Sequence, residues 1–130
     1  MRSTAGIAAI AKAVGAGETS AHNVVVAALG RIEANNGRLG AFTDVLRERA
    51  LARAEAIDNG IKGGKRYPLA GVPFGVKNLY DLAGLPTRAG SKINRERPPA
   101  TTDATLVQKL EAAGAICLGA LNMGEYAYDF

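Results

Sequence analysis

Between Gly71 and Gly119 the sequence reads strand, long irregular connection, helix, strand, and few folds accept that order. Val72, Phe74 and Val76 alternate with Pro73, Gly75 and Lys77, the period-2 pattern of an extended segment over Gly71–Leu79. Residues 81–99 are rich in Gly, Pro, Arg and Ser, with Gly84, Gly90 and the prolines reading as turn chemistry. A helix then spans Asp103–Ala113: Thr102 or Asp103 caps it, Leu106, Val107 and Leu110 turn inward, and Gly114 stops it. Ala115–Gly119 is a second apolar strand. Parallel strands need a long crossover, usually a helix, so this unit predicts a parallel pair and an α/β fold.

Upstream the period changes to that of helices. Ile7, Ile10, Ala11 and Val14 recur at helical spacing over residues 4–15. Ser20 or Thr19 can cap a second helix over 20–35, whose apolar face carries Val24, Val25, Ala28, Leu29 and Ile32. Asn35-Asn36-Gly37 reads as its end. Leu39–Val45 is extended, and residues 46–58 form a charged helix with Leu46, Ala50, Ala54 and Ile57 inward. Asn59-Gly60 and Gly63-Gly64 mark a loop. Two parallel strands are too few for a covered sheet, and the run Asn122–Phe130 looks like the start of another element. The expectation is the leading part of a larger domain.

Several function classes are disfavoured. The net charge of +4 is modest, and Arg47, Arg49 and Arg53 are interleaved with Glu48 and Glu55, so no basic stripe with aromatics suggests nucleic-acid binding. No apolar run approaches the roughly 18 residues of a membrane helix. Cys117 is the single cysteine, which excludes an intrachain disulfide and fits a reducing, cytoplasmic setting. It lies mid-strand and reads as a buried, inert thiol. His22 has no partner at ligand spacing, so no metal site is expected, nor any cofactor.

Lys77 carries the chemical signal. An ammonium in an apolar strand is costly unless it is paired or loses proton affinity. It closes a face of small residues, Pro73 and Gly75, near the strand's C-terminal end, where open α/β sheets place their sites. Two readings stay open on spacing alone: an ion pair with Asp81 or another carboxylate, or a base active near neutral pH. Met123, with Asn122, falls at the end of the second strand and is a candidate substrate contact, although core packing suits it equally. Glu125 could pair with a basic residue of the 81–99 loop.

The run Leu69-Ala-Gly-Val-Pro-Phe-Gly-Val-Lys-Asn-Leu-Tyr-Asp81 closely resembles the lysine-bearing segment of the amidase signature family. Leu85-Pro-Thr-Arg-Ala-Gly-Ser-Lys92, Ala104–Ala115 and Gly119-Ala-Leu-Asn-Met-Gly-Glu-Tyr-Ala127 resemble it in the same order. Ala-Gly-Ser-Lys-Ile-Asn94 and Gly-Ala-Leu-Asn-Met123 are most similar to carboxybiuret hydrolase subunits, then to the A subunits of aminoacyl-tRNA amidotransferases. Many members carry lysine where Ala120 stands and often glycine near Asp129; these departures bear on subgroup.

The resemblance implies residues 1–130 as the N-terminal part of one amidase domain: 1–66 a mainly helical periphery, 67–130 the start of a mixed-sheet α/β core. It implies a Ser–cis-Ser–Lys hydrolase of a small polar amide, with Lys77 relaying protons through a bridging serine to a nucleophilic serine. Only the lysine is present. Ser20 reads as a helix cap, Ser3 lies near a terminus, and Ser91 adjoins Lys92 without the Ser-x-x-Lys spacing of one helical face. The implied partners are the amide substrate and either a second copy or a small partner protein, with no direct nucleic-acid or membrane contact. Two alternatives remain: the A-type component of a glutamine-dependent amidotransferase, and a non-catalytic interaction fragment.

Overall fold

The computed structural model describes residues 5–128. Its elements are α1 (Ile7–Gly15), α2 (Ala21–Leu39), β1 (Phe42–Val45), α3 (Arg47–Lys62), β2 (Pro73–Lys77), α4 (Thr105–Ala112) and β3 (Ile116–Leu121), with short 3-10 turns at Lys92–Asn94 and Glu125–Ala127. The strands form one sheet in the order β1-β3-β2. β2 and β3 are parallel, joined through α4 as the sequence predicts, and β1 adds to the far side of β3 antiparallel, so the α/β sheet is mixed.

Two helix ends differ from expectation for one kind of reason. α2 runs through Asn35-Asn36-Gly37 to Leu39 and stops at Gly40, whose φ is 60°. The Asn36 side chain accepts from Phe42 N–H (2.7 Å) and donates to the Phe42 carbonyl (3.0 Å). It therefore imitates a backbone partner for β1 instead of ending the helix. α3 likewise passes Asn59-Gly60 to Lys62. Tyr67 lies over Gly60 so closely that a Cβ there would overlap its hydroxyl. Neither Asn-Gly pair makes a turn: Asn36 hydrogen-bonds β1, and Gly60 makes room for Tyr67. Ser20 does cap α2, accepting from Asn23 N–H at 2.9 Å, and Asp58 of α3 accepts from Ala21 and His22 N–H.

β3 sorts its side chains into two cores. Ile116 and Leu118 join Val14, Val25, Leu29 and Ile57 of α1, α2 and α3. Cys117 and Ala120 join Val76, Leu82 and Val107 on the α4 side, with Phe74 packed against them. Strict alternation would send Ala120 to the other face; the β-bulge opposite Phe74/Gly75 reverses the phase after Leu118. Full burial of side chains such as Leu29, Ile57 and Ile116 contributes roughly 1.5–3 kcal/mol each.

α4 corrects two further expectations. Its cap position is Ala104, with no side-chain hydrogen bond, because Asp103 is engaged elsewhere. Arg49 of α3 grips Asp103 bidentately at 2.8 Å and reaches Glu111 at 3.1 Å, while Asp103 also accepts from Ala83 N–H. Arg53 donates to the Glu111 carbonyl. Val107 is buried as predicted, but Leu106 is exposed because an eight-residue helix offers the sheet only a narrow stripe. Among the described residues no helix is long and apolar enough to cross a membrane.

Candidate active site

Lys77 ends β2, paired in register with Leu121. Among the described residues β2 is an edge strand, with no strand flanking its last residue on the outer side, and the lysine is exposed rather than sunk in apolar surroundings. Among the described residues no carboxylate lies within 4.0 Å of its ammonium. The ion pair with Asp81 does not form; Asp81 accepts from the Thr87 hydroxyl at 2.5 Å.

The next residue, Asn78, is buried and joins three segments. Its N–H donates to the Leu121 carbonyl (2.9 Å) and its carbonyl accepts from Ala89 N–H (3.0 Å). Its Oδ1 accepts from Gly90 N–H (2.8 Å) and its Nδ2 donates to Thr43 Oγ1 (3.3 Å). The loop at 88–94 is thereby fastened to the C-terminal ends of β2 and β3.

The same loop holds the segment after β3. Ser91 donates to Glu125 Oε1 at 2.5 Å, so Glu125 pairs with a hydroxyl and not with the basic residue expected of it. Asn94 donates to the Tyr126 hydroxyl (2.9 Å), and Tyr126 N–H donates to the Ala89 carbonyl (2.8 Å). Positive φ angles at the non-glycine residues Ala89, Tyr126 and Ala127 all fall at this junction. Such strain persists only where surrounding contacts over-determine the backbone, and it concentrates at functional sites. Met123 is half-buried here, its N–H on Asn122 Oδ1 at 2.9 Å.

Arg88 approaches Asp44 Oδ1 at 3.7 Å, while its buried Nε has no hydrogen-bond partner among the described residues. Cys117 is fully buried, and burial pushes its thiol up to about 11. His22 is exposed at the start of α2.

The model of the family described as amidase matches residues 23–130. The chain belongs to the amidase family. It is 52% identical over 122 residues to the 1-carboxybiuret hydrolase subunit of a Pseudomonas strain, covering 93% of this chain and 27% of that protein. It is 46% identical over 124 residues to the A subunit of the glutamyl-tRNA(Gln) amidotransferase from Anaeromyxobacter dehalogenans, covering 95% of this chain and 24% of that protein. A solved structure of an s-triazine catabolic enzyme complex matches with TM-score 0.90 and 52% identity over 93% of this chain and 27% of that one. The peptide amidase of Stenotrophomonas maltophilia matches with TM-score 0.87 and 32% identity over 97% of this chain and 26% of that one. The chain spans about a quarter of the length of these amidases.

Within this amidase chain the three sequence-named positions at the sheet's C-terminal end, Lys77, Asn122 and Met123, do come to one end of the fold. Sequence reasoning passed over Asn78, Thr43 and Asn94. Asn78 and Asn94 are buried polar residues in or beside the amidase-like words, and an unpaired amide there would be costly. That cost was the available signal.

Proposed function

We propose that this chain is the N-terminal part of an amide C–N hydrolase and that Lys77 is its proton-relay base. The observation that carries the reading is a lysine without an ion-pair partner among the described residues, at the C-terminal end of a parallel strand, in a chain 52% identical to a hydrolase subunit. In this reading Lys77 takes a proton from a bridging serine, which takes one from the nucleophilic serine. The nucleophile attacks the amide carbonyl, the protonated amine leaves, and water releases the acid from the acyl-enzyme. Neither serine comes from the described part of this chain: Ser20 caps α2 and Ser91 is committed to Glu125, while Ser3 lies outside the described residues.

Residues 67–128 then form the start of the catalytic core and the helices before them its periphery. Met123 borders the substrate, a small polar amide; the name of the 1-carboxybiuret hydrolase relative supports a carboxylated urea-like compound. No cofactor takes part. A second reading, the A-type component of an amidotransferase working with a partner, is favoured by the 46% identity to such a protein. Glutamine-dependent activity that appears only on adding partner subunits would select it. The cytoplasm suits either.

The test is Lys77→Ala in the full-length protein. Because the exposed side chain forms no ion pair among the described residues, the melting temperature should hold within about 2 °C, while kcat/KM for amide hydrolysis falls by at least about 1,000-fold. Activity near wild type would end the proposal.

A further inference from the structure

We infer that Asn78 is the positioning residue for Lys77, an inference that rests on the reading of Lys77 as the base. No carboxylate among the described residues holds the Lys77 ammonium, so its location follows from the backbone at 77–78. The Lys77 carbonyl accepts from Tyr80 N–H at 3.0 Å, which turns the chain directly after the strand. The other fixed points next to Lys77 belong to Asn78, ahead of Asp81, which takes Ala104 N–H and the Thr87 hydroxyl.

Asn78 is only 5% exposed. Successive strand residues point to opposite faces, so its amide can enter the interior while Lys77 faces the other way. Its main-chain N–H anchors it to β3 through Leu121, and its carbonyl and Oδ1 together take the N–H groups of Ala89 and Gly90. Its Nδ2 reaches across the sheet end to Thr43 of β1. The flanking strands β1 and β2 lie about 10 Å apart across β3, so Asn78, by its side chain to β1 and its main-chain N–H to β3, links all three strands at this end of the sheet.

Few side chains meet these demands. Leucine has the same size but neither donates nor accepts; it would strand Gly90 N–H and remove the donor to Thr43 Oγ1, whose own proton goes to the Ala120 carbonyl at 3.3 Å. Aspartate keeps the acceptor for Gly90 N–H, and its second oxygen can accept from Thr43 when that hydroxyl turns from the Ala120 carbonyl. With Leu, the 88–90 loop and the strand end keep only the main-chain bonds of residue 78 and lose the side-chain half of their common anchor, and Lys77 shifts with them.

The experiment uses the full-length enzyme, with kcat expressed per folded molecule. Asn78→Leu should lower kcat on the order of 100-fold with KM changed less than about threefold, since roughly 1 Å of misplacement costs that much rate. Asn78→Asp should rescue kcat to within about tenfold of wild type. A purely structural role would reduce the amount of folded enzyme and leave kcat per folded molecule unchanged, and that result overturns the inference. So does an Asp variant as slow as the Leu variant. Should Asn78→Leu not fold, Thr43→Val decides: a kcat lowered about fivefold at unchanged KM supports the anchor, and a wild-type kcat refutes it. Lys77→Ala is measured alongside. An active Lys77→Ala removes the base itself, whereas an inactive one beside a fully active Asn78→Leu removes only the role of Asn78.

Discussion

Gly90 shows how closely the loop at 88–94 fits the segment after β3. Its φ is 72°, and a Cβ there would stand 2.7 Å from the carbonyl oxygens of both Met123 and Gly124. Backbone cannot retreat as a flexible side chain can, so strain and overlap add. Gly90→Ala should destabilise the protein by roughly 2–4 kcal/mol in a denaturant titration. A loss under about 0.5 kcal/mol would mean that the two segments are not held together as described. Cys117 offers a second check at this scale. Its thiol is raised by burial, and at pH 8 its reaction with a thiol reagent should be at least about 100-fold slower in the folded chain than in denaturant. Equal rates would place the strand in solvent. Cys117's inertness was legible because a thiol inside Ala-Ile-Cys-Leu has nothing to ionise it. The exposure of Lys77 was not legible, because whether a strand's last residue is covered depends on what packs beside it and not on its own neighbours in sequence.

At the level of elements, α3 and α4 are joined by charge as well as by apolar contact. The Arg49 hydrogen bonds hold the Asp103 carboxyl below the usual carboxylate range despite some burial, and Ala83 N–H adds to the effect. A carboxyl depressed in the folded state contributes stability that is fully present above its unfolded value, about 3.9, and is lost as pH falls through its lower folded value. The melting temperature should therefore drop between pH 5 and pH 3 more steeply in wild type than in Asp103→Ala. The variant itself should lose about 2 kcal/mol near neutral pH, because Arg49 keeps only Glu111. Parallel acid profiles for the two proteins would remove Asp103 from the account. The helix–sheet order was readable in advance because period and length separate α4 from its flanking strands. The cap of α4 was not: an aspartate before a helix is a good cap by local rules, and only an arginine some fifty residues earlier in sequence, delivered by α3, outbids the backbone N–H groups for it.

The molecule as a whole has a sheet that is better covered than it is closed. Helices α1, α2 and α3 lie on one face and α4 on the other, yet β1 and β2 stand as edges among the described residues. Beside β2 runs a groove of about 360 Å³ lined by Ala28, Ile32, Leu39, Phe42, Pro73 and Leu118 among others. An uncovered parallel edge next to apolar surface invites pairing with another chain. The 130 residues expressed by themselves should then self-associate at micromolar concentration, bind a hydrophobic dye, and unfold over a broad temperature range. Sedimentation as a monomer with one sharp transition would contradict this, and would mean that Pro73, which offers no N–H to a neighbour, and the exposed Lys77 are enough to protect the edge. The opposite outcome would be informative in a further way. If self-association is suppressed in the full-length protein, the surface that suppresses it covers an edge of this sheet, either β1 or the strand that ends in Lys77.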